Sequence, residues 1–298
     1  MKILVSLVFL LLAAGACGPQ LEPAIDEGTV VARYGTVRIK NSSTSRTLTV
    51  LEPGDKVDVL ERQDNWYRIR SGDVEGWMEE SALITKSIEA RIKEMAGAAQ
   101  GLVPQNTAVL REDANFRLEP GRTSPVIRKL REGTRVEVVD RVTIPRPGSD
   151  TLLDVWLHVR PAPTEAGWVF ANLVEFDVPP EIAQYTEGFT YSAVKPLNQI
   201  EDPIAGSIRW YVVGERSPRL DPRLDFDGVR VFTWNLRKHR YETAFRTKGL
   251  RGVYPMEVGQ DGVNPMFRIY ELLPDGKSKQ AREFVMNGVI VRERKRDT

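Results

Sequence analysis

The sequence predicts an all-β protein: two small SH3-sized antiparallel barrels in tandem joined by a short helix, followed by a C-terminal antiparallel β domain. Three observations lead there. Runs of alternating apolar and polar residues recur along the chain, punctuated by 23 Gly and 19 Pro. Residues 28–177 carry one order of motifs twice. Only one stretch, between the two copies, has a helical period.

The chain begins MKILVSLVFLLLAAGAC. Lys2 precedes an apolar run from Ile3 to Leu12, and small residues lead from Ala13 to Cys17, the sole cysteine. A basic start, an apolar middle and a small-residue cleavage site describe a secretory signal. The run is too short for a membrane span, which takes about 20 residues. A cysteine directly after small residues resembles the bacterial lipobox, although Ala14 stands where that pattern has Leu, Val or Ile. The resemblance implies signal residues 1–16, lipidation of Cys17 and a polar tether over 17–27. The protein would be exported and anchored to a membrane, facing the periplasm or the exterior. Gly18 after the cysteine resembles the outer-membrane sorting pattern. Ordinary cleavage leaving a free thiol is the alternative. A single cysteine allows no internal disulfide.

Charge excludes one class of partner. The chain has 42 Lys and Arg against 41 Asp and Glu, and loss of residues 1–16 removes Lys2 alone. Such a balance lacks the basic excess of a nucleic-acid binder. The basic run Arg292–Arg296 reads as a solvated strand end. A length of 298 residues, 41% of them hydrophobic, suits two or three domains.

The repeat orders the next elements. Pro53-Gly54-Asp55-Lys56-Val57-Asp58-Val59-Leu60 matches Glu132-Gly133-Thr134-Arg135-Val136-Glu137-Val138-Val139. Both are a glycine turn followed by a half-buried strand. Val37-Arg38 matches Phe116-Arg117, Trp66-Tyr67-Arg68-Ile69-Arg70 matches Trp156-Leu157-His158-Val159-Arg160, and Gly76-Trp77-Met78 matches Gly167-Trp168-Val169. The second copy carries extra residues in Val142–Asp154, which contains IPRPGSD. This order of parts resembles the bacterial SH3 domain family, twice over, in domains at 28–86 and 105–178. The resemblance implies five-stranded barrels of about sixty residues, near the lower size limit for independent folding.

Between them, within the linker 87–104, Ser87–Ala99 reads as a helix. Ser87 can cap it, and Ile88, Ile92, Met95 and Ala99 share a face. Glu89 and Lys93 can pair at i, i+4, and Gly101 and Pro104 end it.

Residues 179–298 read as strands at Gly188–Val194, Ser207–Val213, Val229–Trp234, Tyr241–Phe245, Met266–Leu272 and Phe284–Val291. A charged turn follows Trp234, and Pro274-Asp275-Gly276 makes another. A sandwich, an open barrel or a meander of hairpins all fit this pattern.

Aromatic residues are the candidate binding groups. In SH3-like proteins aromatics near these loops line a shallow groove, which implies Trp66, Tyr67 and Trp156 as ligand-binding residues. Trp66 and Tyr67 are successive in one strand, so one of them faces away from the core. Trp77 and Trp168 are expected in the barrel cores.

Catalysis finds little support in the residues. Bacterial SH3 domains often accompany Cys/His wall peptidases, but no cysteine follows Cys17. The two histidines are His158, in a strand, and His239, in a charged turn, and no G-x-S-x-G occurs. Asp221–Gly228 has the spacing of a fragment of a calcium loop but lacks its first and last ligands, so it reads as a carboxylate-rich turn. No metal or cofactor is expected. The sequence therefore implies a non-catalytic, lipid-anchored envelope protein whose paired domains bind cell-wall peptide (peptidoglycan) or envelope proteins. Spacer domains in an envelope assembly, or an enzyme with its site in the C-terminal domain, are the alternatives. It assigns no oligomeric state.

Overall fold

The computed structural model describes residues 21–149 and 151–294. Cys17, its neighbouring signal and the basic end Lys295–Arg296 lie outside the described residues. The fold divides between Lys86 and Ser87 into two units.

The first unit is one curled antiparallel sheet. Its strands are β1 (Asp26–Val30), β2 (Gly35–Arg38), β3 (Thr47–Leu51), β4 (Lys56–Gln63), β5 (Trp66–Ser71), β6 (Val74–Glu79) and β7 (Leu83–Thr85), in the order β3-β2-β6-β5-β4-β1-β7. Alternation turns Val57, Val59, Tyr67, Ile69 and Met78 inward onto Val30 and Val37, and these make the core. Helix α1 (Lys86–Gln100) follows. It covers the segment with helical periodicity, and Glu89 and Lys93 pair on it at 2.8 Å.

The second unit begins with the same plan. Strands β8 (Asn106–Leu110), β9 (Ala114–Arg117), β10 (Val126–Leu130), β11 (Arg135–Pro145), β12 (Leu153–Ala162), β13 (Glu165–Phe170) and β14 (Val174–Phe176) take the order β10-β9-β13-β12-β11-β8-β14, position for position that of the first sheet. The glycine of each Gly-Trp motif has one cause. A Cβ on Gly76 would lie 2.6 Å from Val37 Cγ1 and 2.7 Å from the Arg38 carbonyl oxygen. One on Gly167 would lie 2.6 Å from the Phe116 ring and 2.9 Å from the Arg117 oxygen. Only glycine lets these strands cross so closely.

Helix α2 (Pro180–Ala183) leads into a seven-stranded meander: β15 (Thr190–Asp202), β16 (Gly206–Arg216), β17 (Phe226–Asn235), β18 (Arg240–Asp261), β19 (Asn264–Leu272), β20 (Lys279–Asn287) and β21 (Ile290–Glu293). The chain is thus all-β with short helices, as the sequence predicts. Both faces of the meander are apolar. Trp210, Val212 and Val231 enter one core with Phe267 and Phe284, while Tyr211, Val213 and Phe232 enter another with Ile182 of α2 and Tyr191. Two strands differ from expectation. Phe284–Val291 is split by a Gly288-Val289 turn, with Gly288 at φ +59°. Tyr241–Phe245 is the start of the 22-residue β18, whose register shifts break the alternation that sequence reading follows.

The extra residues of the second copy lie beside the junction of its barrel with the meander, and Thr143 among them takes part in it. They extend β11 and β12, pairing Val142 with Trp156 and Pro145 with Leu153. Arg141 Nη1 donates to Asp225 Oδ1 at 3.0 Å, and Thr143 Oγ1 donates to the Pro222 oxygen at 2.8 Å. Asn106 Nδ2 donates to the Tyr191 oxygen at 2.9 Å, and the Met256 amide donates to Gln105 Oε1 at 2.6 Å. These hydrogen bonds of buried and half-buried groups cross the junction and tie barrel and meander together.

Candidate functional site

The outer face of the first barrel carries the candidate site, and strand alternation decides its membership. Tyr67 points into the core and is 5% exposed, with its hydroxyl 3.5 Å from Glu80 Oε1. Burial, then the Glu80 charge, pushes that phenol up to about 12. Tyr67 is therefore not a groove residue, whereas its neighbour Trp66 is half-buried on the outer face. Trp156 holds the register of Trp66 in the second barrel, yet it is 3% exposed and lies edge-on to Phe170 at 5.6 Å. That burial removes it from any open groove.

Trp77 and Trp168 also differ from expectation. Met78 and Val169 are the fully buried residues of those strands, and Gly76 and Gly167 face inward beside them. The tryptophans between them must face out, and both are half-buried. The signal in the sequence was the glycine itself, an inward position with no side chain to spend.

Each outward tryptophan sits in the middle of a cross-strand row. In the first barrel the row is Arg38, Trp77, Arg68 and Glu61. In the second it is Arg117, Trp168, His158 and Asp140. Arg38 Nη1 donates to the Ser45 oxygen at 2.8 Å, and Arg117 Nη1 donates to the Ser124 oxygen at 2.5 Å. The arginines of the repeat thus hold the loop after β2 and its counterpart after β9. His158 stacks on Trp168 at 4.7 Å with rings 11° apart, and burial lowers its pKa. In the second row His158 is thus buried against Trp168, while Asp140 at its end is exposed.

In the first barrel the row presents charge. Arg68 meets Glu61 at 3.1 Å and Glu22 at 2.7 Å, and Arg70 meets Asp58 at 3.2 Å. The bond from Arg68 holds the Glu22 carboxyl below its usual range. Beside them lies a cleft of about 540 Å³ lined by Leu21, Lys56, Asp58, Arg70, Ser71 and Glu75. An arginine fork that already takes the carboxylate of Glu22, next to an indole face and flanking acids, can hold a peptide by its charges and its apolar parts.

Other polar groups resolve into structural roles. Asp202 accepts the amides of Ile204 and Ala205, each at 2.8 Å, the Trp234 indole at 2.6 Å, and lies 2.9 Å from His239 Nδ1. Burial pushes this carboxyl up, but those donors outweigh it and hold it far below its usual range. No Ser or Thr hydroxyl bonds to His239 among the described residues. In the Asp221–Gly228 turn the carboxylates diverge: Asp221 to Arg223, Asp225 to Arg141, and Asp227 to Ser217. Among the described residues no three His, Cys, Asp or Glu side chains come together as metal ligands. Nor is any helix there long and apolar enough to cross a membrane.

A family model of the bacterial SH3 domain matches residues 34–84, in the first copy of the repeat. No curated protein matches the chain. Among solved structures it is similar to NlpC2 from Trichomonas vaginalis, at 12% identity and TM-score 0.20, covering 88% of this chain and 93% of that one. NlpC1 from the same organism is similar at 12% identity and TM-score 0.19, over 86% and 87%. An NlpC/P60 endopeptidase from Photobacterium damselae subsp. piscicida is similar at 11% and 0.19, over 90% of this chain and 66% of its own. The expectation of a non-catalytic binding protein is corrected, since one of these neighbours carries the name of an NlpC/P60 endopeptidase. At such TM-scores the likeness assigns no chemistry to any residue of this chain.

Proposed function

We propose that this chain acts in cell-wall turnover, with the bacterial SH3 domain of residues 34–84 recognising wall peptide for hydrolysis. One observation carries the reading: that domain's outer face places Trp77 between Arg38 and Arg68, with Arg68 already holding a carboxylate. Residues 18–298 hold no cysteine, so a thiol nucleophile would come from another source. The second barrel is, on this reading, a bacterial SH3 domain turned into scaffold. Its strand order is retained, but Trp156 and His158 are buried. The reading also places the protein in the cell envelope, exported and lipidated on Cys17.

Co-sedimentation of the full chain with isolated peptidoglycan sacculi tests the proposal. The wild type should pellet with the sacculi, and Trp77→Ala should lower the bound fraction without shifting the thermal midpoint. A wild type that stays in the supernatant while a known wall-binding control pellets overturns it.

A further inference from the structure

Within the second unit, between the β8–β14 barrel and the meander, lies a cleft of about 530 Å³, a size typical of ligand pockets. Three arginines converge on it: Arg111 just after β8, Arg141 on β11 and Arg216 at the end of β16. Only Arg141 has a carboxylate partner, Asp225. Arg216 Nη1 donates to the Leu224 oxygen, which also receives Arg141 Nη1 at 3.1 Å. Neither Arg216 nor Arg111 forms an ion pair among the described residues. The other carboxylate on the wall, Glu175, is exposed and pairs with none of the three.

The physical consequence is an excess of positive charge: three arginines meet the carboxylates of Asp225 and Glu175 on the wall, and the Asp225 and Asp227 charges only partly offset the burial of Arg216. Burial first, and the neighbouring Arg141 charge second, push the Arg216 guanidinium down from its usual pKa. An arginine nevertheless stays protonated in a protein. A cation in a partly dry recess beside another cation is costly until an anion joins it. The guanidinium fork matches a carboxylate in a bidentate fashion. Phe176, Val178 and Phe189 give one part of the wall an apolar surface, beside the polar Asn172, Thr190 and Ser192. A lone inorganic anion would leave that surface unused.

We propose that this cleft binds the free C-terminal carboxylate of a short apolar peptide, Arg216 and Arg111 holding the carboxylate and Phe189 and Val178 packing its last side chains. No residue of the 34–84 domain takes part, so this site stands or falls apart from wall recognition by that domain.

Isothermal titration calorimetry on the full chain tests it with three probes: acetyl-Ala-Ala, its C-terminal amide and inorganic phosphate. The acid should bind about tenfold or more tightly than the amide, the difference expected for a charge-assisted hydrogen bond. Arg111→Gln, on an exposed side chain, should weaken the acid by a similar factor with an unchanged thermal midpoint, and Arg216→Gln should weaken it further. Equal binding of acid and amide overturns the proposal. So does phosphate binding as tightly as the acid, absence of heat from the acid at millimolar concentration, or acid binding that survives both substitutions.

Discussion

Arg141 and Asp225 lie 84 residues apart in the chain and 3.0 Å apart in the structure, with side chains 8% and 7% exposed. Burial raises the Asp225 carboxyl, while Arg141 and the Tyr254 amide, at 2.7 Å, act to keep it charged. The pair sits where the lengthened β11–β12 hairpin meets the meander.

Removing one partner should therefore cost far more than removing both. Arg141→Leu leaves a buried carboxylate without its cation, and a loss of about 3–5 kcal/mol is expected. Adding Asp225→Leu should recover part of that loss. Urea unfolding of the two variants checks it, and a double variant no more stable than Arg141→Leu would contradict the assignment.

The Gly-Trp motif yields a contrast between glycines. Gly167→Ala puts a Cβ against Phe116 and the Arg117 carbonyl, and overpacking of this kind costs about 1–3 kcal/mol. Gly97→Ala on α1 meets nothing within 4 Å and should gain about 0.5–1 kcal/mol. Thermal unfolding of both variants should show midpoints moving in opposite directions.

His158 predicts an acid limb. Its folded pKa is depressed by burial, so the unfolded chain takes up the proton first as pH falls through about 6.5. The unfolded state then binds more protons, and stability falls below that pH until the folded pKa is reached. His158→Phe, which keeps a ring against Trp168, should lose this part of the pH dependence. An unchanged slope between about pH 6.5 and 5 in the variant counts against it.

Lys195 predicts the opposite end of the scale. It is 4% exposed, its Nζ donates to the Pro104 oxygen, and burial brings its pKa down to about 8. Above that pH the folded state has released a proton that the unfolded chain holds to about 10.4. Stability should therefore rise with pH across this window. In Lys195→Met the rise should be smaller, read as the change in urea midpoint between pH 8 and 10.

Much of the fold was legible because its signals are local. The glycine turns at Gly54 and Gly133 and the alternating strands after them mark the two barrels, and the charged turn after Trp234 marks a hairpin. The site was less legible. Trp66 and Tyr67 are adjacent and similar in chemistry, and which one faces out depends on the register that Ile69 and Met78 take in the core. Trp156 has the same register as Trp66, and only its packing against Phe170 separates the two.

By itself the sequence determined the all-β class, the repeated order of strands, the place of α1 and the excess length of the second copy. Each follows from periods and turn residues within a few positions of one another. The tertiary structure alone decided that the excess length lies beside the junction with the meander and that Asp225 belongs to Arg141. It also brought Arg111, Arg141 and Arg216 around one cleft. Those outcomes depend on residues as much as 151 positions apart sharing a dry space, and a local pattern carries no record of such meetings.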